Sequence, residues 1–197
     1  MMPRLILASA SSARGALLQG AGIDFQAIPA DIDEGAIKRA FEGQPAARIA
    51  TEIATAKAQK IAAKKPDQLV LGSDQVLVHR GRLFSKPRTL AEARTHLEDL
   101  SGNAHRLVSA AAIVRNDQIL WHDNQTVTMT MRPLSPAFLD RYLQDIGDLA
   151  LNSVGCYHLE GRGSQLFSSV DGDYFAVLGL PLLPLLQALR NLGYLSE

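Results

Sequence analysis

Two short segments of the chain carry residue types suited to phosphate chemistry. The first, Ser9–Arg14, follows the apolar run Leu5–Ala8 and contains three serines and an arginine. A buried strand that leads through hydroxyl residues into a helix can hold an anion, because backbone N–H groups and the positive end of the helix dipole point to one place. Phosphate is the favoured anion. The alternative is that Ser11 or Ser12 only caps the helix.

The second segment is Gly72-Ser73-Asp74-Gln75, which follows the apolar Leu69–Leu71. A carboxylate at the end of a core strand is costly to bury without a cation, and α/β sheets commonly bind ligands at strand ends. Asp74 is therefore a candidate metal ligand or general base. The alternative is an Asx-turn, in which Asp74 only organises the chain after Gly72.

An acidic cluster and two lysines add to these segments. Glu34 ends the cluster Asp31–Glu34, which equally suits the start of a helix. Lys57 lies at four-residue spacing from Ile53 and Ile61, so its ammonium projects from an apolar stripe. It either reaches the edge of the core or enters a polar site where a substrate anion neutralises it. Lys86 precedes a proline, and its ammonium likewise either lies in solvent or is held in place to contact a ligand.

Together these residues match the needs of phosphoryl chemistry on a nucleotide. Such a reaction requires a divalent cation held by carboxylates, cationic and N–H donors around the phosphate oxygens, and a base that prepares water. Glu34 and Asp74 can hold the cation, and Mg²⁺ and Mn²⁺ are both compatible with them. The turn Ser9–Arg14, Lys57 and Lys86 can supply the donors. The Gly-Lys-Ser/Thr phosphate loop is absent from the sequence, which disfavours kinase chemistry.

Composition predicts a soluble protein with one continuous domain over residues 1–197. Its 47% hydrophobic content can build a core, and no repeat or linker divides the chain. A formal net charge of zero, from 20 basic and 20 acidic residues, argues against binding to a nucleic acid polymer or to a membrane. Cys156 is the single cysteine, and the first apolar run is too short for a signal peptide. We therefore expect a cytoplasmic location.

The elements that position these residues are predicted from periodicity. Helices are expected over residues 45–65, 90–100, 135–146 and 182–192, and strands over 5–8, 25–29, 69–71, 76–79, 107–114 and 119–131. Later strands are expected near 155–159 and 165–177. Asn116-Asp117 indicates a hairpin, so part of the sheet must be antiparallel. The fold class is α/β, with a mixed, twisted sheet flanked by helices.

The ordered set of motifs resembles the Maf-like nucleotide pyrophosphatases over nearly the whole chain. The segments that carry the resemblance are Leu7–Arg14, Asp31–Glu34, Lys57-Ala58, Gly72–Gln75, Lys86-Pro87, Ser101-Gly102 with His105, Gly172–Phe175 and Gly179–Leu182. The resemblance implies a fold like that of inosine triphosphate pyrophosphatases, with two lobes around a central cleft. It also implies cleavage of a nucleoside triphosphate to the monophosphate and pyrophosphate, with a divalent metal and as a homodimer.

The resemblance also assigns roles to single residues. Asp74 matches the family's catalytic base, and Glu34 its acidic residue near metal and phosphates. The phosphate-contacting positions are matched by Ser9, Arg14, Lys57 and Lys86, with Ser11 beside them in the first motif. The family usually has a proline and a bulky residue before the retained arginine, where this chain has Ser12 and Ala13.

Three positions are expected to select the base. Family members that act on dTTP and UTP resemble one another in having arginine, threonine and glutamine at these three positions. Members that prefer 7-methyl-GTP have tryptophan, glutamine and glutamate instead. This chain has Ala13, Gln75 and Glu160, so two of the three match the 7-methyl-GTP type. Glu160 could accept two hydrogen bonds from a guanine-like base. The alternative is that Glu160 is a surface residue.

Two other functions remain open at this point. The first is a nucleotide-binding regulator of cell division or septum formation with little or no catalysis, an association that the family has carried. The second is a sugar-phosphate enzyme of similar topology, which would act without regard to the base.

Overall fold

A computed structural model of the protein describes residues 4–196, and its strands form one mixed seven-stranded sheet. The strands are β1 (Leu5–Leu7), β2 (Phe25–Ala27), β3 (Val70–His79), β4 (Arg82–Phe84), β5 (Ala104–Arg115), β6 (Gln118–Met131) and β7 (Phe167–Asp171). Their hydrogen-bonded order is β2-β1-β3-β5-β6-β7, with β4 paired to β3. β1 is parallel to β2 and β3, whereas the β3–β4 and β6–β7 pairs are antiparallel.

Helices accompany the sheet throughout the described residues, which confirms the predicted mixed α/β class. They are α1 (Ser12–Gly20), α2 (Glu34–Ala40), α3 (Ala46–Ala62), α4 (Leu90–Leu100), α5 (Pro136–Ile146), α6 (Tyr174–Val177) and α7 (Leu182–Asn191), with short 3-10 turns at Gly147–Asn152 and Arg162–Leu166. Among residues 4–196, no helix is both long and apolar enough to cross a membrane.

The chain divides into two compact units, each built from separate stretches of sequence. The first unit contains the residues up to Gln75, then Val108–Gln125, then those from Asp173 onward. The second unit contains Val76–Leu107 and Thr126–Gly172. The chain passes between the two units four times, at the residue pairs 75/76, 107/108, 125/126 and 172/173. The units are therefore not joined by a single linker.

In the first unit, the side chains of β1 alternate between two hydrophobic cores. Leu5 and Leu7 join a cluster with Leu18 of α1 and the apolar side of α7. Ile6 belongs to a second cluster, with Val70 of β3 and the apolar side of α3. Successive side chains of a strand point to opposite faces of the sheet. The sheet of this unit therefore has α1 and α7 on one face and α3 on the other.

The backbone of β3 passes unusually close to α3. A Cβ atom at Gly72 would lie 2.0 Å from the carbonyl oxygen of Ala54 and 2.8 Å from the amide nitrogen of Ala58. Only glycine permits this approach, and the small residues of α3 make it possible from the other side. The contact brings the following residues of β3 within reach of α3.

The second unit contains a buried histidine pair beside a tyrosine. His105 is 2% exposed, and its Nε2 lies 2.7 Å from the hydroxyl of Tyr157. The Nδ1 atom of His79 lies 3.0 Å from the carbonyl oxygen of Ala104 and can donate to it. His105 Nδ1 and His79 Nε2 are buried without a hydrogen-bond partner among the described residues. Burial, with a smaller effect of His79, lowers the pKa of His105 to about 4.

Most predicted elements are confirmed, and four predicted strands differ. The hairpin is confirmed, because Asn116 and Asp117 have positive φ angles of 50° and 60° between β5 and β6. The strands predicted over 69–71 and 76–79 are one strand, β3, and β4 was not predicted. The strand expected near 155–159 is wrong, because these residues form turns and irregular chain. The strand expected over 165–177 is shorter, and α6 occupies its end.

Gly72→Ala should destabilise the fold through the contact with α3. The new methyl group would overlap backbone atoms that cannot move alone, so we expect the free energy of unfolding to fall by about 3 kcal/mol. Urea denaturation measures this change. Gly20→Ala is the matched control, because no atom lies within 4 Å of a Cβ at Gly20. An equal effect of both substitutions would contradict the proposed close approach.

Stability should fall as the pH is lowered, because of His105. Its folded pKa of about 4 lies below the ordinary value of 6.5, so between these two values the unfolded chain binds the proton and the folded chain does not. The expected loss across this window is about 3 kcal/mol. His105→Gln should flatten that part of the curve of unfolding free energy against pH, whereas His122→Gln, at an exposed position, should not.

Candidate active site

A buried lysine joins two carboxylates at the centre of the candidate site. Lys57 Nζ lies 2.8 Å from Asp74 Oδ1 and 2.7 Å from Glu34 Oε1. The Lys57 and Asp74 side chains are 11% and 7% exposed, whereas that of Glu34 is 42% exposed. A buried ion pair requires such geometry, because each charge alone would be costly in the interior. The structure thus brings together three residues that the sequence singled out separately.

Each of the three side chains is placed by its own element. Lys57 lies on the apolar side of α3, between the buried Ile53 and Ile61, as the four-residue spacing predicted. Glu34 is the first residue of α2, whose amino end is capped by Asp33, so the helical interpretation of the acidic cluster is confirmed. The stem of Lys57 lies in the core and its ammonium reaches a polar site, where carboxylates of the protein pair with it. Neutralisation by a substrate anion stays a prediction.

Asp74 lies inside β3 and not after its end. The predicted strand end and the alternative Asx-turn at this position are therefore both wrong, because Val70–His79 is continuous extended chain. The Oδ2 atom of Asp74 is buried and has no hydrogen-bond partner among residues 4–196. Lys57 keeps the carboxylate in place through Oδ1, which leaves Oδ2 available to a proton, a water molecule or a cation.

Arg14 is held from three directions. Its Nε donates to the carbonyl oxygen of Gly179 at 2.9 Å, and its Nη1 donates to the carbonyl oxygen of Ser73 at 3.0 Å and to Ser9 Oγ at 3.2 Å. Burial lowers the pKa of Arg14, and the charges of Asp74 and Glu34 oppose this effect. The guanidinium of arginine nevertheless remains charged in proteins. The structure places a fixed positive charge near the carboxylates.

The turn before α1 has the predicted cap. Ser11 Oγ accepts a hydrogen bond from the amide of Arg14 at 3.4 Å, and Ser9 Oγ accepts one from the amide of Ser11 at 3.2 Å. Ser11 is therefore the N-cap, whereas Ser12 is exposed and begins the helix. Ala13, half-buried, follows in the first turn of α1. A role of this turn in phosphate binding stays a prediction.

The amide of Gln75 is bonded to the protein itself. Its Nε2 lies 2.9 Å from Ser109 Oγ, 3.0 Å from the carbonyl oxygen of Ala176 and 2.9 Å from that of Val177. The hydroxyl of Ser109 in turn donates to the carbonyl oxygen of Ala176 at 2.6 Å. Gln75, expected to select the base, is thus also part of the packing of the first unit.

Lys86 and Glu160 belong to the second unit. Lys86 is exposed, in the segment between β4 and α4. Glu160 lies in the turn before the 3-10 turn Arg162–Leu166, and its Oε1 is 3.7 Å from Nδ1 of His158. Their predicted contacts with phosphate and base stay predictions.

Sequence reasoning gave no role to three residues of this network. Ser73 is fully buried, and its Oγ lies 2.8 Å from the carbonyl oxygen of Ala110 and 2.9 Å from that of Gly179. Ser109 is also fully buried. The available signal was a hydroxyl residue within the apolar strand Leu107–Val114. Gly179 lay in a motif that was noted, but nothing in the sequence linked its carbonyl oxygen to Arg14.

The fold and this cluster of charges define a mixed α/β protein with a candidate hydrolytic site, and comparison with known proteins identifies its family. A family described as "Maf-like protein" matches residues 4–192. The chain belongs to the Maf-like protein family, which confirms the resemblance seen in the motifs.

Individual relatives cover almost the full chain. It is 51% identical over 195 residues to "7-methyl-GTP pyrophosphatase" of Rhizobium meliloti (strain 1021), covering 98% of each chain. It is 49% identical over 190 residues to "Nucleoside triphosphate pyrophosphatase" of Granulibacter bethesdensis (strain ATCC BAA-1260 / CGDNIH1), covering 95% of this chain and 96% of the relative. Among solved structures, "Structure of a HAM1 protein from Coxiella burnetii" matches with 21% identity and a TM-score of 0.47, over 66% of this chain and 73% of that chain.

Gly179→Ala should disturb Arg14. Gly179 has a φ of +95°, and a Cβ there would lie 3.3 Å from Arg14 Nε. We expect activity on the substrate to fall about tenfold, the cost of one lost hydrogen bond to a charged group. Gly193→Ala is the matched control, because its φ of +69° gives similar backbone strain with no atom within 4 Å. Equal losses of activity would show that strain alone, and not Arg14, is responsible.

Proposed function

We propose that the protein hydrolyses a nucleoside triphosphate to the monophosphate and pyrophosphate, with 7-methyl-GTP as its substrate. The observation that carries the proposal is the buried Asp74 carboxylate, with Oδ1 on Lys57 and Oδ2 without a protein partner. Membership of the Maf-like family and the names of the relatives support the same reaction.

Asp74 acts as the general base in this proposal. Its Oδ2 accepts the proton of a water molecule while the water oxygen attacks the α-phosphorus. The bond between the α-phosphorus and the bridging oxygen breaks, and pyrophosphate leaves with that oxygen. Lys57, bonded to Oδ1, keeps the carboxylate oriented during the step. A base held in one orientation reacts faster, because less freedom is lost on reaching the transition state.

Positive groups are available for the phosphate oxygens. Arg14 carries a fixed charge, and the first-turn N–H groups of α1 and its dipole favour an anion beside it. Ser9 and Ser11 border this turn. A contact of Lys86 with phosphate stays a prediction from the family resemblance. Arg14 and Lys57 balance Asp74 and Glu34, so the four side chains together carry no net charge. A bound triphosphate therefore needs further cations.

A divalent cation fits the carboxylates of the site. Mg²⁺ and Mn²⁺ prefer oxygen ligands, and Mg²⁺ is commonly held by one or two carboxylates together with substrate phosphates. Glu34 and Asp74 would hold such an ion, and because Oδ2 of Asp74 takes the proton in the proposed step, the ion would rest mainly on Glu34 and on the substrate. No group of three or more His, Cys, Asp or Glu side chains that could hold a metal occurs in residues 4–196. In this proposal, oxygens of substrate and water would complete the coordination. The bound ion would neutralise charge on the phosphates.

The family resemblance predicts that Ala13, Gln75 and Glu160 each contribute to base selection. Several relatives carry the name 7-methyl-GTP pyrophosphatase, and Gln75 and Glu160 match that type. The carboxylate of Glu160 suits the adjacent N–H and amino groups of a guanine. The small side chain of Ala13 leaves room beside the base and gives no ring to stack on it. A homodimer and a cytoplasmic location also stay predictions.

Asp74→Asn tests the proposed reaction. An amide is too weak a base to take the proton, so the rate of pyrophosphate release should fall at least about 100-fold. Release is measured from 7-methyl-GTP and the common triphosphates with Mg²⁺ or Mn²⁺. Asp24→Asn, at an exposed ion pair with Arg4, is the matched control and should keep the wild-type rate.

Two outcomes would contradict the proposal. Unchanged turnover in a folded Asp74→Asn protein would exclude Asp74 as the base. Tight triphosphate binding by the wild-type protein, with no pyrophosphate released in either metal, would favour the nucleotide-binding regulator.

A further inference from the structure

A cavity of about 360 Å³ lies in the second unit, on strands β3, β5 and β6, which are neighbours in the sheet. Val78 and Ala104 contribute apolar surface to it, and Thr128 adds a hydroxyl group. The charged residues that line it are Arg80 and Arg106. Its described lining contains no acidic residue and none of the residues assigned to the candidate active site. The cavity therefore carries two positive charges that the proposed reaction does not use.

Arg80 occupies a position in the chain that is unfavourable for arginine. With Gly81 it forms the two-residue loop between β3 and β4, and the φ angles of the two residues are 49° and 77°. A type I′ turn requires positive φ at both central residues, and it favours asparagine, aspartate or glycine at the first of them. A long side chain at such an angle costs conformational energy, and residues of this kind cluster at ligand sites. The chain has an arginine here despite that cost.

Both guanidinium groups have N–H donors to spare. Arg80 Nη2 donates to Asn103 Oδ1 at 3.2 Å, and the Asn103 amide is itself held by the carbonyl oxygen of Ser101 at 2.8 Å. Arg106 is exposed, and its guanidinium has no hydrogen bond or ion pair with any residue from 4 to 196. A guanidinium has five N–H groups, so most of the donors of the pair are available to a ligand.

The chemistry of the lining favours a small phosphate-class anion. The planar fork of a guanidinium matches the oxygens of phosphate, and the resulting hydrogen bonds are strengthened by charge. Among the described residues that line the cavity there is no phenylalanine, tyrosine or tryptophan. A nucleotide base would therefore have none of these rings to stack on, and stacking is a common source of affinity for bases. An inorganic anion needs no such ring.

One carboxylate lies on the same side of the sheet as the Thr128 side chain. Asp171 of β7 is the cross-strand partner of Thr128, and directly opposite residues of an antiparallel pair share a face. Within residues 4–196, Asp171 forms no ion pair with Arg80 or Arg106. Its charge opposes the binding of an anion but does not neutralise either arginine.

We propose that this cavity is a separate anion site, which binds inorganic phosphate or pyrophosphate through Arg80 and Arg106. Pyrophosphate has more oxygens and more charge to share between two guanidinium groups, so it binds more tightly than phosphate. Pyrophosphate is also the leaving group of the proposed reaction, but the site does not depend on that reaction.

The Nε–H signals of the arginines report on each site by nuclear magnetic resonance. Metal-free protein at low ionic strength is titrated with inorganic phosphate, with pyrophosphate and with AMP. The signals of Arg80 and Arg106 should shift together with one dissociation constant, which is lowest for pyrophosphate. The signal of Arg14 reports on the candidate active site, and it should follow a different curve.

Substitutions connect the shifts to the two arginines. Arg80→Asn and Arg106→Gln should each weaken pyrophosphate binding about tenfold at the signal that remains, the loss expected for hydrogen bonds to a charged group. Asparagine suits the turn, so Arg80→Asn should not lower the urea midpoint. Asp171→Asn should tighten binding, because it removes the opposing charge. Arg190→Gln, at an exposed arginine of α7, is the matched control and should leave binding unchanged. The Arg14 curve should be the same in all four variants.

Four results would overturn the inference. The first is the absence of any shift of Arg80 and Arg106 at millimolar pyrophosphate, and the second is an unchanged dissociation constant in both arginine variants. The third is an Arg14 signal that follows the Arg80 curve and is lost with it in Arg80→Asn, since the anion would then belong to the active site. The fourth is AMP binding more than about tenfold tighter than phosphate, which would make a nucleotide the ligand. No turnover is measured, so a failure of the proposed function leaves this test intact.

Discussion

The shared ammonium group of Lys57 is the interaction on which the candidate site depends. One positive charge lies within 2.8 Å of oxygens from both Glu34 and Asp74, and little of the lysine or the aspartate is exposed. Removing Lys57 would leave the buried Asp74 carboxylate without its cation and beside a second negative charge, which proteins avoid. The close approach of α3 to β3 at Gly72 places this ammonium beside the strand.

The residues around Asp74 make different contacts on the two faces of β3. On one face, Asp74 meets Lys57, and on the other, Ser73 and Gln75 hold the segment that also fixes Arg14. An acid–base group in the middle of a strand has less conformational freedom than one in a turn. The network therefore gives the carboxylate a defined direction before any substrate arrives.

Local patterns in the sequence predicted much of this arrangement. The four-residue spacing around Lys57 predicted its placement, and Asn116-Asp117 predicted the hairpin. The continuous strand β3 was missed because glycine, serine and aspartate resemble a turn, and only packing against α3 explains them as strand. The direction of the Gln75 amide depends on carbonyls about 100 residues away, which no local pattern contains. The roles of Lys86 and Glu160 stay predictions from the family resemblance.

The path of the chain through the two units limits how the protein can be taken apart. Each unit is assembled from stretches that are distant in sequence, and four crossings connect them. A single proteolytic cut at any one crossing leaves at least one unit divided between the two fragments. Neither unit corresponds to one continuous segment of sequence that could be expressed alone or fused to another protein. Recombination between relatives would therefore have to exchange several segments together to move either unit intact.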